Sequence, residues 1–233
     1  MKKTCIIFHG HMRTFDKTHD SLKKYIENFE DIDIFIHTWN VVDRESPSYY
    51  DNSKVDIEEI DIDKINKLYK PKAILVEKQE LKNPEITCPY NKISLEGHKY
   101  YFESFYKANE LKINYEKENN FVYDFVIKLR PDVIFKEPLN LSKLNDDTSY
   151  LFGNPINNNA DLHSIGNFRA FNVITISNSE NMNKIANFYT VMDEYIFVKL
   201  HKHSDFVDYI INLNLDLEII EYFYGKHWGF VRM

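Results

Sequence analysis

Apolar residues run unbroken through Cys5-Ile6-Ile7-Phe8 and stop at His9. A run that short, without alternation, predicts a strand over Thr4–Phe8 buried on both faces. From Asp16 to Phe29 the apolar positions change period. Leu22, Tyr25, Ile26 and Phe29 share one face at three- and four-residue spacing, which predicts a helix. Asp33–Ile36 and Ala73–Val76 repeat the strand pattern, and Asp61–Tyr69 predicts a short helix stopped near Pro71. The longest helical pattern spans Leu95–Glu118, with Tyr101, Phe102, Phe105, Ala108, Leu111 and Tyr115 on one broad face. Phe125–Leu129 is a further strand, ended by Pro131, which cannot donate a ladder hydrogen bond. Thr38–Lys54 and Lys78–Ile93 are polar, proline-containing loops. Strand and helix alternate as in a parallel sheet covered by helices, with right-handed crossovers.

The second half is less regular. Tyr150–Phe152, Phe171–Ile176 and Leu217–Ile220 are strand candidates. Ser179 resembles an N-cap for a helix over Met182–Tyr195, and Asp205–Asn212 predicts another helix. Gly153–Phe168 reads as a loop containing Asn157-Asn158-Asn159. With no internal repeat and no linker, the expectation is one α/β domain over 1–233. Residues 1–135 would be its more regular half and 136–233 its less regular half.

Composition narrows the classes. The chain has 233 residues, 43 % of them hydrophobic and 15 % aromatic, enough for a sizeable core and too apolar for disorder. A net charge of −7 argues against a nucleic-acid binder, which would present a basic face. The six glycines form neither G-x-G-x-x-G nor a Walker sequence. Two cysteines, Cys5 and Cys88, make neither a disulfide framework nor a zinc knuckle. The N-terminal apolar run is too short for a signal peptide, and no run approaches the roughly 18 residues of a membrane helix. A cytoplasmic protein is expected, touching the inner membrane face at most through an acceptor or a partner.

Candidate chemistry sits just past the strands, where open α/β sheets bind ligands. Strand one is followed by His9-Gly10-His11-Met12-Arg13-Thr14. Gly10 permits close backbone approach, Arg13 offers a planar fork for phosphate, and the amides of the next helix favour an anion. Strand two is followed by His37-Thr38-Trp39, where Trp39 either stacks on a base or sugar or caps the core. The fourth strand presents Arg130 and Asp132, read either as a surface ion pair or as a site for a phosphate ester and its metal. The loop 157–169, with Asp161, His163 and Arg169, is either a lid or a solvated loop. The tail, Lys226-His227-Trp228-Gly229-Phe230-Val231-Arg232, either folds over the site or docks on the core.

Four pieces in order resemble a known family. They are Gly10-x-x-Arg13-Thr14-Phe15, Asp33-Ile-Phe-Ile-His-Thr-Trp39, the helix with Tyr106-Lys107-Ala108-Asn109 and Tyr115, and Tyr123-Asp-x-Val-Ile-x-x-Arg-Pro-Asp132. Together they resemble bacterial glycosyltransferase-like proteins of capsule and lipopolysaccharide biosynthesis, with the GT-A type nucleotide-diphospho-sugar fold. The resemblance covers roughly residues 3–135 and continues weakly through Phe171–Tyr189. It implies a nucleotide-diphospho-sugar donor held by His9, Gly10, Arg13, Thr14, His37, Trp39, Arg130 and Asp132. It also implies a saccharide or lipid-linked saccharide acceptor. Asp132 would be the last acid of an Asp-x-Asp motif that holds manganese or magnesium. Arg130 stands at that motif's first acidic position, so one carboxylate with Arg130 implies either a weak metal site or neutralisation by the guanidinium. Asn172 stands near where related sequences carry an acid, which leaves Asp161 or Asp205, alongside Asp132, as catalytic candidates. The residues also admit a metal-dependent hydrolase using His9, His11, His37 and Asp132, or a silent sugar-nucleotide binder.

Overall fold

The computed structural model describes residues 2–42, 58–79, 95–155, 168–199, 204–221 and 226–231. The expected loops within 43–57 and 80–94, Cys88, the run Asn157–Asn159, Asp161, His163, His201, His203 and Arg232 lie outside these residues. In chain order the elements are β1 (Thr4–His9), α1 (Phe15–Tyr25), β2 (Asp33–Trp39), α2 (Ile62–Tyr69), β3 (Ala73–Glu77), α3 (Leu95–Asn119), β4 (Phe125–Leu129) and β5 (Val133–Phe135). They continue with β6 (Ser149–Pro155), β7 (Phe168–Ser177), α4 (Ser179–Ala186), α5 (Phe188–Lys199), α6 (Ser204–Asn212), β8 (Leu217–Glu221) and β9 (Trp228–Phe230).

The architecture is α/β. A seven-stranded, mostly parallel mixed sheet has the order β3-β2-β1-β4-β7-β6-β8, and a two-stranded sheet pairs β5 with β9. Strands β3, β2, β1 and β4 are parallel neighbours. β7 alone runs against them, antiparallel to both β4 and β6. Alternate residues of the central strands enter two cores. On one face Ile6, Phe8, Ile34, Ile36, Ile127 and Leu129 meet α1 and α2 through Phe15, Leu22, Ile65 and Tyr69. On the other, Cys5, Ile7, Phe35 and Val126 meet Phe102, Phe105 and Ala108 of α3, with Met182, Phe188 and Phe206 behind. Both faces of the central strands are covered, hence their unbroken apolar runs. Cys5 is a buried thiol whose pKa burial pushes up, so it behaves as a small hydrophobe.

Three expectations are corrected. The first helix ends at Tyr25 rather than Phe29, because Ile26 is extended and Asn28 adopts the left-handed conformation, φ 55°. The helix expected over Met182–Tyr195 is two helices meeting at Asn187. Its N-cap is Asn178, whose side chain accepts from the Asn181 amide. Ser179 instead donates to Glu116 and accepts from the buried Lys112. Strands β5 and β9 are too short for a periodic signal.

β2 and β3 lie on one side of β1 and β4 on the other, so the winding reverses between β1 and β4. In sheets of this kind the ligand crevice opens outside the carboxyl ends at that switch point. No helix among the described residues is long and apolar enough to cross a membrane.

Candidate functional site

The chain leaves β1 through a strained turn. Gly10 has φ +89°, a region where a β-carbon is costly, and open space surrounds the position such a carbon would take. The Gly10 amide donates to Ser104 Oγ at 2.6 Å. Arg13 also has a positive φ, 36°, uncommon for a residue with a side chain, and its amide donates to the Val42 carbonyl at 3.1 Å. Strain of this kind persists only where the surroundings enforce it. Here it turns the Arg13 side chain back across the end of the sheet toward β4.

The chain leaves β4 at Arg130-Pro131-Asp132, with the Pro131 carbonyl held by Thr18 Oγ1 at 2.6 Å. Asp132 is 1 % exposed. Arg130 grips it with two donors, Nε to Oδ1 at 3.0 Å and Nη2 to Oδ2 at 2.5 Å. Arg13 Nη1 donates to the same Oδ2 at 3.2 Å. Charge-assisted forks of this kind fix both position and plane. One carboxylate thus lies under two guanidiniums, whose side chains keep 18 % and 23 % of their surface exposed. Among the described residues the cluster sets two guanidiniums against one carboxylate at the carboxyl ends of β1 and β4, an arrangement that suits a diphosphate.

It does not suit a resident divalent cation. Asp132 spends both oxygens on guanidiniums, and among the described residues no group of three or more His, Cys, Asp or Glu side chains converges as metal ligands would. The histidines diverge. His11 Nε2 pairs with Gln79 at 3.0 Å, His37 bonds Ser104 and Glu77, and His9 is buried among aromatic rings.

β2 runs on to Trp39, so His37 and Trp39 lie within the strand rather than after it, and His37 sits beneath α3. Its Nδ1 lies 2.7 Å from Ser104 Oγ and its Nε2 lies 2.7 Å from Glu77 Oε2. Burial pushes its pKa down, although the Glu77 hydrogen bond works the other way. A neutral ring, which the lowered pKa favours, donates Nε2–H to Glu77 and takes the Ser104 proton at Nδ1 in competition with the His37 carbonyl, 3.2 Å from Ser104 Oγ. Ser104 Oγ then accepts from the Gly10 amide. Burial opposes the charge on Glu77, but Lys107, at 2.6 Å, and His37 prevail and hold its pKa low. His37 therefore supports the β1 turn from behind rather than facing the crevice. Trp39 is buried, edge-on to His37 and Tyr100, and so takes the core-capping alternative.

His9 is buried, with neither ring nitrogen hydrogen-bonded. Tyr101 lies edge-on to it at 4.6 Å and Phe105 at 5.4 Å. Burial, then the charges of Lys128 and Arg130, depress its pKa well below the ordinary histidine value. Lys128 is itself buried. It donates to Tyr101 Oη at 3.0 Å and lies over the rings of Tyr101, Phe105 and Phe206. Thr14, expected at the donor, turns its hydroxyl to the Val231 carbonyl at 2.9 Å. The helix amides expected to attract an anion are partly spent, because Phe15 and Lys17 donate to the Met12 and Thr14 carbonyls. Asp205 lies in the first turn of α6, whose backbone alone is described there. Arg169 and Asn172 lie in β7 on the same terms.

Residues 1–188 match the family described as a domain of unknown function, DUF7796. The chain belongs to the DUF7796 family. None of the curated proteins matches it. The DUF7796 match contains Gly10, Arg13, His37, Ser104, Arg130 and Asp132, and ends before α6, β8 and β9. Sequence reasoning missed Ser104 and Lys128 in this DUF7796 chain. Lys128 carried a signal, a lysine inside an otherwise apolar buried strand. Ser104 carried none beyond its place between Phe102 and Phe105.

Proposed function

We propose that the protein is a glycosyltransferase using a nucleotide-diphospho-sugar donor, with a GT-A type fold. Its acceptor would be a saccharide or lipid-linked saccharide of capsule or lipopolysaccharide biosynthesis, reached at the inner membrane face. The observation that carries this reading is the convergence of Arg13 and Arg130 on Asp132 at the β1/β4 switch point, beside the open backbone of Gly10. The sheet order and the four sequence pieces support it.

Transfer requires charge stabilisation on the departing diphosphate, and fixed guanidiniums supply it without reorganisation. Asp132 holds the two guanidiniums in place before the donor arrives. The acceptor's proton needs a base within hydrogen-bond reach, and Asp161 and Asp205 are the proposed candidates. The saturation of Asp132 also favours a second reading, a protein that binds the donor without turning it over.

Thermal-shift screening against nucleoside diphosphates and their sugars, in EDTA and in manganese, tests both readings. A donor at a hundredfold excess over its dissociation constant adds about 2.7 kcal/mol of stability. The expected result is stabilisation that survives EDTA and disappears in Arg13→Ala and Arg130→Ala. Stabilisation without turnover on any saccharide acceptor would select the silent binder. The absence of stabilisation by every nucleotide tested would overturn both.

A further inference from the structure

The tail residues 226–231 do more than dock. Trp228 is buried in the core shared with α1, and β9 pairs antiparallel with β5, Val133 opposite Phe230 and Phe135 opposite Trp228. The His227 carbonyl accepts from the Lys136 amide at 2.7 Å. These contacts deliver Val231 to the carboxyl ends of β1 and β4. There its amide donates to the Asp132 carbonyl at 3.0 Å, and its carbonyl accepts from Thr14 Oγ1 at 2.9 Å. Thr14 adjoins Arg13, and Arg13 reaches back to the Asp132 carboxylate. The circuit is closed: Arg13 to Asp132 by an ion pair, Asp132 to Val231 and Val231 to Thr14 by hydrogen bonds, and Thr14 to Arg13 by the chain.

We infer that the segment Trp228–Val231 is a working part of the anion site, a brace that fixes the loop after β1 against the loop after β4. Thr14 is accordingly a positioning residue. Its hydroxyl faces the brace, and it sets where the Arg13 guanidinium lies. The loop after β1 needs such a support because Arg13 holds left-handed backbone that a residue with a side chain disfavours. The brace lies outside residues 1–188, the segment that matches the family.

The test uses the full chain and arginine-selective modification by phenylglyoxal, read residue by residue by mass spectrometry. An added arginine-containing peptide serves as the reference. Thr14→Val removes the hydroxyl at nearly constant volume, Thr14→Ser keeps it, and Val231→Pro deletes the amide that bonds Asp132. Freed from the brace, the loops open locally more often. Modification at Arg13 and Arg130 should therefore rise at least about threefold in Thr14→Val and in Val231→Pro. Thr14→Ser should stay within about twofold of the wild type. Faster hydrogen exchange at the Val231 amide in Thr14→Val, with the modification of both arginines unchanged, would overturn the brace. Loss of cooperative unfolding in both tether variants would also overturn it, because the brace is argued to hold two loops and not the core.

A second arm rests on the donor reading. Inorganic pyrophosphate should bind Thr14→Val about tenfold more weakly than the wild type, the effect of one lost hydrogen bond. A wild type that does not bind pyrophosphate refutes the donor reading and leaves the modification result standing by itself.

Discussion

Acid should destabilise this protein through one identifiable imidazole. His9 is buried with both ring nitrogens unbonded. Its pKa is depressed by burial, by Lys128 on β4, by Arg130 just past β4 and by His37 on β2, with the nearby Tyr101 carbonyl working the other way. In the unfolded chain it titrates near about 6.5. Below that value the unfolded state binds a proton that the folded state refuses, so stability falls as pH falls. Between about pH 7.5 and 5.5 the loss approaches about 1.4 kcal/mol while folded His9 stays neutral. For a chain of this size that lowers the melting temperature by about 3–6 °C. His9→Leu removes the titration and the two orphaned nitrogens. The latter should return about 1–3 kcal/mol at neutral pH, less a repacking cost below about 1.5 kcal/mol. Urea unfolding of both proteins across that pH range measures the difference. Wild type and His9→Leu should converge in slope at high pH and separate below about pH 6.5. Parallel curves throughout would refute the reasoning, because the imidazole would then be charged or bonded in the folded state.

Lys112→Met should cost about 3–5 kcal/mol by chemical denaturation, because Glu116 would keep a buried charge, and adding Glu116→Gln should recover most of it. Trp228→Ala should cost about 3–5 kcal/mol and speed exchange of the Lys136 amide, which donates to the His227 carbonyl, and protection unchanged there would contradict the β5–β9 pairing. Arg130→Lys loses the bidentate grip on Asp132 and should weaken pyrophosphate binding at least about tenfold by calorimetry, which equal affinity would disprove. Chelation should leave the melting temperature unchanged, since Asp132 is occupied by guanidiniums, and a drop on adding EDTA would reveal a bound ion.

The strands β1, β2 and β4 were legible because burial on both faces writes a continuous apolar run, and Pro131 marks where the last of them ends. Strand-end chemistry was legible for the same reason: polar residues directly after such runs have one place to go. Arg13, Arg130 and Asp132 meet there. His37 and Trp39 are buried, with α3 packed against the end of β2, a cover that the sequence does not show. Nor does it show that the tail pairs with three residues beyond Asp132, a contact made across nearly the whole second half of the chain. The reversed direction of β7 was equally silent, since a buried strand reads alike in either direction.

The pairing of β9 with β5 has a kinetic consequence. Domains form as units during synthesis, and contacts distant in sequence close late. The first half of the chain can assemble its parallel strands while the second half is still emerging, yet the clamp on Thr14 and Asp132 waits for Val231. A nascent or proteolytically clipped chain would therefore carry the arginines without their alignment, and competence would arrive only with the closing stitch.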